Sequence, residues 1–468
     1  MPQAGRQPRP IVELLSLALP TVAQMASYTV MQFIDTWMLS RPQAGGEMAA
    51  TAAANSGMLN FAALSLGMGT LVLVNTLVSQ SFGRRDFREC GRYLWQGVWL
   101  ALMYGAVLLP LMNLGPQIFR VGFGHAADQA NLESAYWRIV IFAAVAKLIS
   151  MALSQFLLGI DRPRAVLAAA VLGTGINAVV AWCVVLGHGG FRSHGVVGAA
   201  WAQNIGVTCE MLTLIVMTLR PSVREHFGAG DCLPRAGHLA TLVRVGVPSG
   251  LQWFSDVLAW GVFCNGVLAV LGTTAMEANT FMLRYMVASF MPCVGIGVAV
   301  TALVGRYIGR GMPIVAARRA HLGFFLSLAY VTACGVVFIA ARGPLMRLFT
   351  HDPQVVRIGG LYLVCAAIYE IFDALYIIYV GALRGAGDTL RPAVVMTTLC
   401  WTVSVAGGYA VARWTPGLGF GGPWYMGCLY GVLVGVYMLV RFVGGQWRDI
   451  RLATVSNAPL SSATLDPS

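Results

Sequence analysis

Twelve stretches of this chain are apolar for long enough to cross a bilayer, and nothing constrains its fold more. A hydrocarbon layer about 30 Å thick takes roughly 20 apolar residues to cross as a helix, and there the backbone must pair its own polar groups. The first half offers Ile11–Leu39, Met48–Gln80, Tyr93–Leu114, Glu133–Gly159, Ala165–Leu186 and Gly195–Leu219. The second offers His238–Leu271, Glu277–Gly305, Ala317–Ala341, Val355–Leu383, Pro392–Arg413 and Pro423–Val443. Charged residues make up 11% of the 468, against about 25% in soluble chains. The sequence predicts an all-α integral membrane protein of twelve transmembrane helices.

The two halves echo each other. Leu77-Val78-Ser79-Gln80-Ser81-Phe82-Gly83-Arg84 is matched by Leu303-Val304-Gly305-Arg306-Tyr307-Ile308-Gly309-Arg310, and Leu157 and Gly159 by Leu383 and Gly385, all 226 positions later. Ala18-Leu19-Pro20-Thr21 and Gly246-Val247-Pro248-Ser249 open the two halves, 228 apart. A spacing kept in separate places argues duplication. With six spans each, both repeats insert the same way up, giving two bundles related by an axis along the membrane normal with a cavity between them. The expected organisation is a bundle over 1–219, a linker over 220–237, a bundle over 238–443 and a tail over 444–468.

Arginines set the orientation. Twenty fall at the termini and in the loops on their side, against seven opposite: Arg41, Arg120, Arg192, Arg342, Arg347, Arg357 and Arg413. The bias places both termini in the cytoplasm. The larger group includes Arg6 and Arg451 near the chain ends. The net charge of +12 is then a signature of topology and anionic-lipid contact. No basic cluster interleaved with aromatics suggests nucleic acid. The first span, carrying Pro20 and Asp35, does not read as a cleaved signal peptide. Ten cysteines are scattered singly, without C-x-x-C spacing, as packing residues.

The acids inside the spans carry the function. A carboxylate at membrane depth costs about 2.5–3.5 kcal/mol by insertion scales, so it marks an ion or substrate path. Five are clearly internal: Asp35, Glu210, Asp256, Glu370 and Asp373. Glu13 counts with the span ends. Glu370 and Asp373 share a helix face, with Tyr369 one turn before Asp373. Two carboxylates so close repel when both ionise, so they titrate as a unit and suit exchange of a proton for a metal ion or an organic cation. Trp253, Trp260, Tyr376 and Tyr379 flank these acids, offering faces to lipophilic cations or packing the helices. Lys147 and Arg284 are intramembrane cations and possible charge partners. Arg284 either neutralises Asp256 or Asp373 permanently or leaves an acid free for a mobile cation. Glu210 has no evident partner.

No Walker motif, G-x-S-x-G elbow, H-E-x-x-H helix or clustered His/Cys set is present, so neither ATP hydrolysis nor another enzyme activity is indicated. No cofactor is expected. Gly427, Gly431 and Gly435 form a small-residue packing stripe in the last span.

These residues resemble the multidrug and toxic compound extrusion (MATE) transporters, most closely the NorM-type branch, over nearly the whole chain. Ala18-Leu19-Pro20 with Phe33-Ile34-Asp35-Thr36 is similar to the family's first helix. Gly246-Val247-Pro248-Ser249-Gly250-Leu251-Gln252 through Asp256 is similar to its seventh, with Asp where Glu is usual. Tyr369 and Asp373, followed by Gly381-Ala382-Leu383-Arg384-Gly385-Ala386-Gly387-Asp388-Thr389, resemble its tenth helix and the loop beyond. Gly195-Val196-Val197-Gly198-Ala199-Ala200 adds the sixth-helix opening. The resemblance implies a V-shaped exporter of organic cations driven by inward H+ or Na+. It also implies cation or proton binding at Asp256 and Asp373 with Tyr369 nearby, with a Na+ possible at those two acids, and an N-terminal site of Asp35 with Asn177; Glu370 joins the candidates through its pairing with Asp373. Ala181 and Gln203 depart from the family's usual polar residues there, which favours a proton over sodium at Asp35.

The expectation is a monomeric, H+- or Na+-coupled antiporter of the bacterial cytoplasmic membrane, with small organic cations and membrane lipid as partners. A lipid-linked oligosaccharide flippase of the same superfamily is the alternative; it calls for arginines in the cavity. A non-transporting receptor or scaffold predicts no ion-dependent flux.

Overall fold

The computed structural model describes residues 9–42, 46–190, 192–450 and 452. Arg6, Arg451 and residues 453–468 of the expected tail lie outside the described residues. The described chain is helical with no strand.

Its spans are α1 (Pro10–Leu39), α2 (Gly46–Gly83), α3 (Phe87–Leu114), α4 (Ala127–Phe142 continued by Ala144–Gly159), α5 (Pro163–Leu186) and α6 (Gly195–Leu219). The second half holds α7 (Ala236–Leu271), α8 (Thr273–Gly309), α9 (Pro313–Ala340), α10 (Pro353–Ala386), α11 (Leu390–Trp414) and α12 (Gly417–Val443). All twelve expected spans are there, differing mainly at their ends. Hydropathy misses polar first turns that capping secures. The Asp86 carboxylate accepts from Glu89 N–H at 3.4 Å, starting α3 six residues before Tyr93. Asp352 accepts from Gln354 N–H at 2.8 Å at the head of α10. That helix runs on to Ala386, where Gly387 at φ +92° ends it. Prolines 20, 248 and 292 sit inside α1, α7 and α8. The bend that splits a span, 45°, lies at Ala143 of α4, away from any of them.

The duplication is legible in the packing. Each half's first span lies on the other half's second: α1 on α8 and α7 on α2. Two glycines 226 positions apart permit this. A Cβ on Gly69 would meet Ser249 O of α7 at 2.8 Å, and one on Gly295 would meet Val22 Cα of α1 at 2.8 Å. Farther along, α2 and α8 cross each other. A Cβ on Gly83 would strike the Arg306 carbonyl, and one on Gly309 would strike the Gln80 carbonyl. These positions are repeat equivalents, so the crossing marks the symmetry axis.

Helix α1 is shared between the halves. Its residues Leu14, Leu17 and Ala18 are buried in the core of the second half, while Met38 and Leu39 join a core of the first. Pro20 lies between these two attachments. The Thr21 hydroxyl donates to Gly295 O at 2.8 Å.

Candidate functional site

In the second half, α7 and α10 bring Asp256, Tyr369, Glu370 and Asp373 together. Tyr369, Glu370 and Asp373 are buried, and Asp256 is half-buried. Asp373 lies within electrostatic reach of both Glu370 and Asp256, with Tyr369 beside it. Ser289 of α8 donates a hydrogen bond to Glu370 Oε1, leaving Oε2 without a partner. The wall is aromatic: the Trp260 ring stands edge-on to Tyr369 with centroids 5.9 Å apart, and Trp424 lies 6.5 Å from Tyr369. The last-span glycines seat this wall. A Cβ on Gly431 would meet the Tyr369 ring at 3.0 Å, so α12 can back the ring closely only without a side chain there.

Of the two alternatives for Arg284, the structure favours the one that leaves the acids free of it. Arg284 is exposed and makes no ion pair among the described residues, so it neutralises neither Asp256 nor Asp373. Instead Arg384, read from sequence as a loop residue, is buried in the last turn of α10 and is the charge felt by Asp256. Its Nη2 donates to Gln252 Oε1 at 3.2 Å and its guanidinium lies 6.0 Å from the Trp253 ring centroid. Gln252 in turn donates to the Tyr376 hydroxyl at 3.0 Å.

In the first half, Asn177 Nδ2 donates to both Asp35 oxygens, at 3.0 and 3.2 Å, from α5 to α1. Ala181 is buried nearby, and Gln203 accepts from the Tyr136 hydroxyl at 2.9 Å. Asn177 is thus the donor to Asp35 among the described residues. Two turns before Asp35 on α1, Tyr28 donates its hydroxyl to Glu210 of α6. Lys147, in the first turn after the α4 bend, lies 4.0 Å from the other Glu210 oxygen and 4.8 Å from the centroid of the Tyr28 ring. Glu210 therefore has the partners its local sequence did not disclose.

Glu13 and Asp161 were also missed. The Glu13 carboxylate, 9% exposed, accepts from Arg306 Nη2 at 3.0 Å, Arg319 Nε at 2.8 Å and the Tyr307 hydroxyl at 2.8 Å. Arg306 also bonds Asp161, in the turn between α4 and α5. Burial pushes the Asp161 carboxyl above its usual range, against the pull of the Arg306 guanidinium, while Glu13 adds to the rise. Two acids of the first half thus meet two arginines of the second at the end bearing the termini. Thr76 donates to Arg384 O at 3.0 Å and Gln80 to Gly385 O at 2.9 Å at the same end. The sequence offered only a basic run, Arg306 to Arg319, and an acid in the first turn of α1, with nothing to link the two.

The MatE family profile matches residues 20–183 and 255–409. The probable multidrug resistance protein NorM of Thermotoga maritima is 26% identical over 456 residues, covering 94% of each chain. The NorM protein of Deinococcus radiodurans, also described as a probable multidrug resistance protein, is 29% identical over 437 residues, 92% of this chain and 94% of its own. Among solved structures, a eukaryotic MATE transporter, AtDTX14, superposes with a TM-score of 0.83 at 18% identity, covering 94% of this chain and 97% of its own. A MOP superfamily transporter from Pyrococcus furiosus gives 0.82 at 19% identity with the same coverage. Those two structures speak to the fold.

Proposed function

Because this chain belongs to the MATE family of membrane transporters, we propose that it is a cation-coupled antiporter that expels organic cations and other amphipathic toxins. The observation that carries this reading is the group of three carboxylates, Asp256, Glu370 and Asp373, enclosed by Tyr369, Trp260 and Trp424. Carboxylates so placed hold a cation or a proton, and aromatic faces favour a lipophilic one. The names of the NorM relatives agree with a drug-like cargo.

Exchange follows from competition. An H+ or Na+ that neutralises Asp373 and its neighbours removes the charge an organic cation needs, so the two ligands bias the transporter oppositely. Each charge moving through 100 mV supplies about 2.3 kcal/mol, enough for a gradient of roughly 50-fold. In the first half, Asp35 with Asn177 as its one donor among the described residues suits a proton, since sodium seeks several oxygen ligands. The acids lie inside the spans while most arginines lie at helix ends, which favours cations over the anionic headgroup of a flippase substrate.

The test is uptake of a fluorescent organic cation into inverted vesicles under an imposed pH or Na+ gradient. Wild type is expected to accumulate the dye under one gradient, and Asp373→Asn to lose at least 90% of that uptake. Dye uptake under neither gradient, with lipid flipping in its place, would transfer the reading to the flippase.

A further inference from the structure

The segment joining the halves is strapped along the start of α3 and forms a basin with it. Trp95 Nε1 donates to Ala229 O and Trp99 Nε1 to Cys232 O, both at 2.9 Å. Gln96 accepts from Arg235 N–H at 2.9 Å and donates to Leu233 O at 3.1 Å. A Cβ on Gly91 would collide with the Phe227 carbonyl, so the strap sits directly on the helix backbone. These bonds make the basin a preformed one.

The basin encloses about 360 Å³. Its charged lining is Arg88, Arg92, Arg224, Glu225 and Asp231. Arg92 is engaged by Glu89, and Asp231 by Arg235 Nη2 at 2.6 Å. Arg88 and Arg224 are exposed and make no ion pair among the described residues. Two guanidiniums therefore face the space with their donors unused, and Glu225 faces it as an acceptor.

Depth in the membrane decides what fits. Trp95 lies seven residues into α3 from Arg88, about 10 Å along the axis. Tryptophan is enriched at the headgroup level, and a basin one or two turns beyond Trp95 at the head of a span would then open level with the lipid phosphates. We propose that it is a binding site for the headgroup of an anionic phospholipid whose alcohol carries free hydroxyls, as phosphatidylglycerol does. Arg88 and Arg224 take the phosphodiester in charge-assisted bonds, and Glu225 takes a hydroxyl. Arginine clusters on the cytoplasmic side of membrane proteins bind such headgroups, each basic residue contributing about 1 kcal/mol. A lipid held there would fasten the connection between the two moving halves to the bilayer.

The experiment titrates full-length protein in detergent with phosphatidylglycerol, phosphatidylcholine or inorganic phosphate, counting bound ligand by native mass spectrometry. Wild type is expected to retain one phosphatidylglycerol in preference to phosphatidylcholine. Arg88→Gln/Arg224→Gln should bind it about 30-fold more weakly, the fold-change for about 2 kcal/mol. The single variant Arg88→Gln, at an exposed side chain, repeats the test if the double variant does not fold. Equal retention by the variants, or equal retention of phosphatidylcholine by wild type, overturns the site. Full displacement of the lipid by millimolar inorganic phosphate overturns the lipid assignment and leaves a soluble phosphate as the ligand. None of these readouts depends on transport.

Discussion

Arg284 and Arg384 show how little a charge's position along the chain says about its work. Both belong to the second half, but one is exposed on α8 and the other is buried against Gln252 and Trp253 beside Asp256. Replacing Arg384 with Gln removes a positive charge that acts on Asp256 from beyond ion-pair distance. Cation uptake in vesicles should fall at least tenfold, whereas Arg284→Gln should stay within about twofold of wild type. The acids were legible in the sequence because a carboxylate within an apolar run has no cheap explanation. Arg384 was not, because the apolar run ends at Leu383 while the helix continues to Ala386. Three further residues of helix turn a loop arginine into a buried one. Glu13 was hidden differently: its burial is created by Arg306, Tyr307 and Arg319, which no local pattern connects to it.

At the scale of elements, the carboxylate of Glu210 ties α1, α4 and α6 through Tyr28 and Lys147. A buried acid left without its cation is destabilising, by about 3–5 kcal/mol for a fully enclosed pair. Lys147 keeps 30% of its side chain exposed and stands 4.0 Å away, so the cost of Lys147→Met should be smaller, about 2 kcal/mol. Lys147→Met/Glu210→Gln should recover most of it, because both charges leave together. Denaturation midpoints of the two singles and the double measure this as a coupling energy. A strictly additive result would show that the pair is not coupled. Helix existence and order followed from apolar length. The choice of neighbour did not: that α1 lies on α8, and α7 on α2, depends on glycines whose partners are backbone atoms of another helix.

For the whole molecule, the ion pairs found between the halves lie at the end bearing the termini. Glu13 and Asp161 face Arg306 and Arg319 there, beside the crossing of α2 and α8. In the antiport cycle proposed above that end would have to open, and these ion pairs would oppose the motion. Glu13→Gln should ease it, seen as at least tenfold faster hydrogen–deuterium exchange in peptides covering residues 300–312. Unchanged exchange would mean that the remaining contacts, the glycine crossing among them, hold the halves without Glu13. The 226-residue echo foretold two like bundles about an axis, because repetition is visible in one dimension. It could not foretell which ionic groups would close the joint, since those residues differ between the repeats.

Helix α1 also bears on how the chain is made. It is synthesised well before the second half, yet Leu14, Leu17 and Ala18 complete a core built from that half. Arg319, which bonds Glu13, is synthesised 306 residues later. These turns of α1 must therefore wait in the membrane for their second-half partners until those spans follow. The six spans of the first half cannot finish as an independent unit before the rest arrives. The joint between the halves closes on a helix made long before its partners.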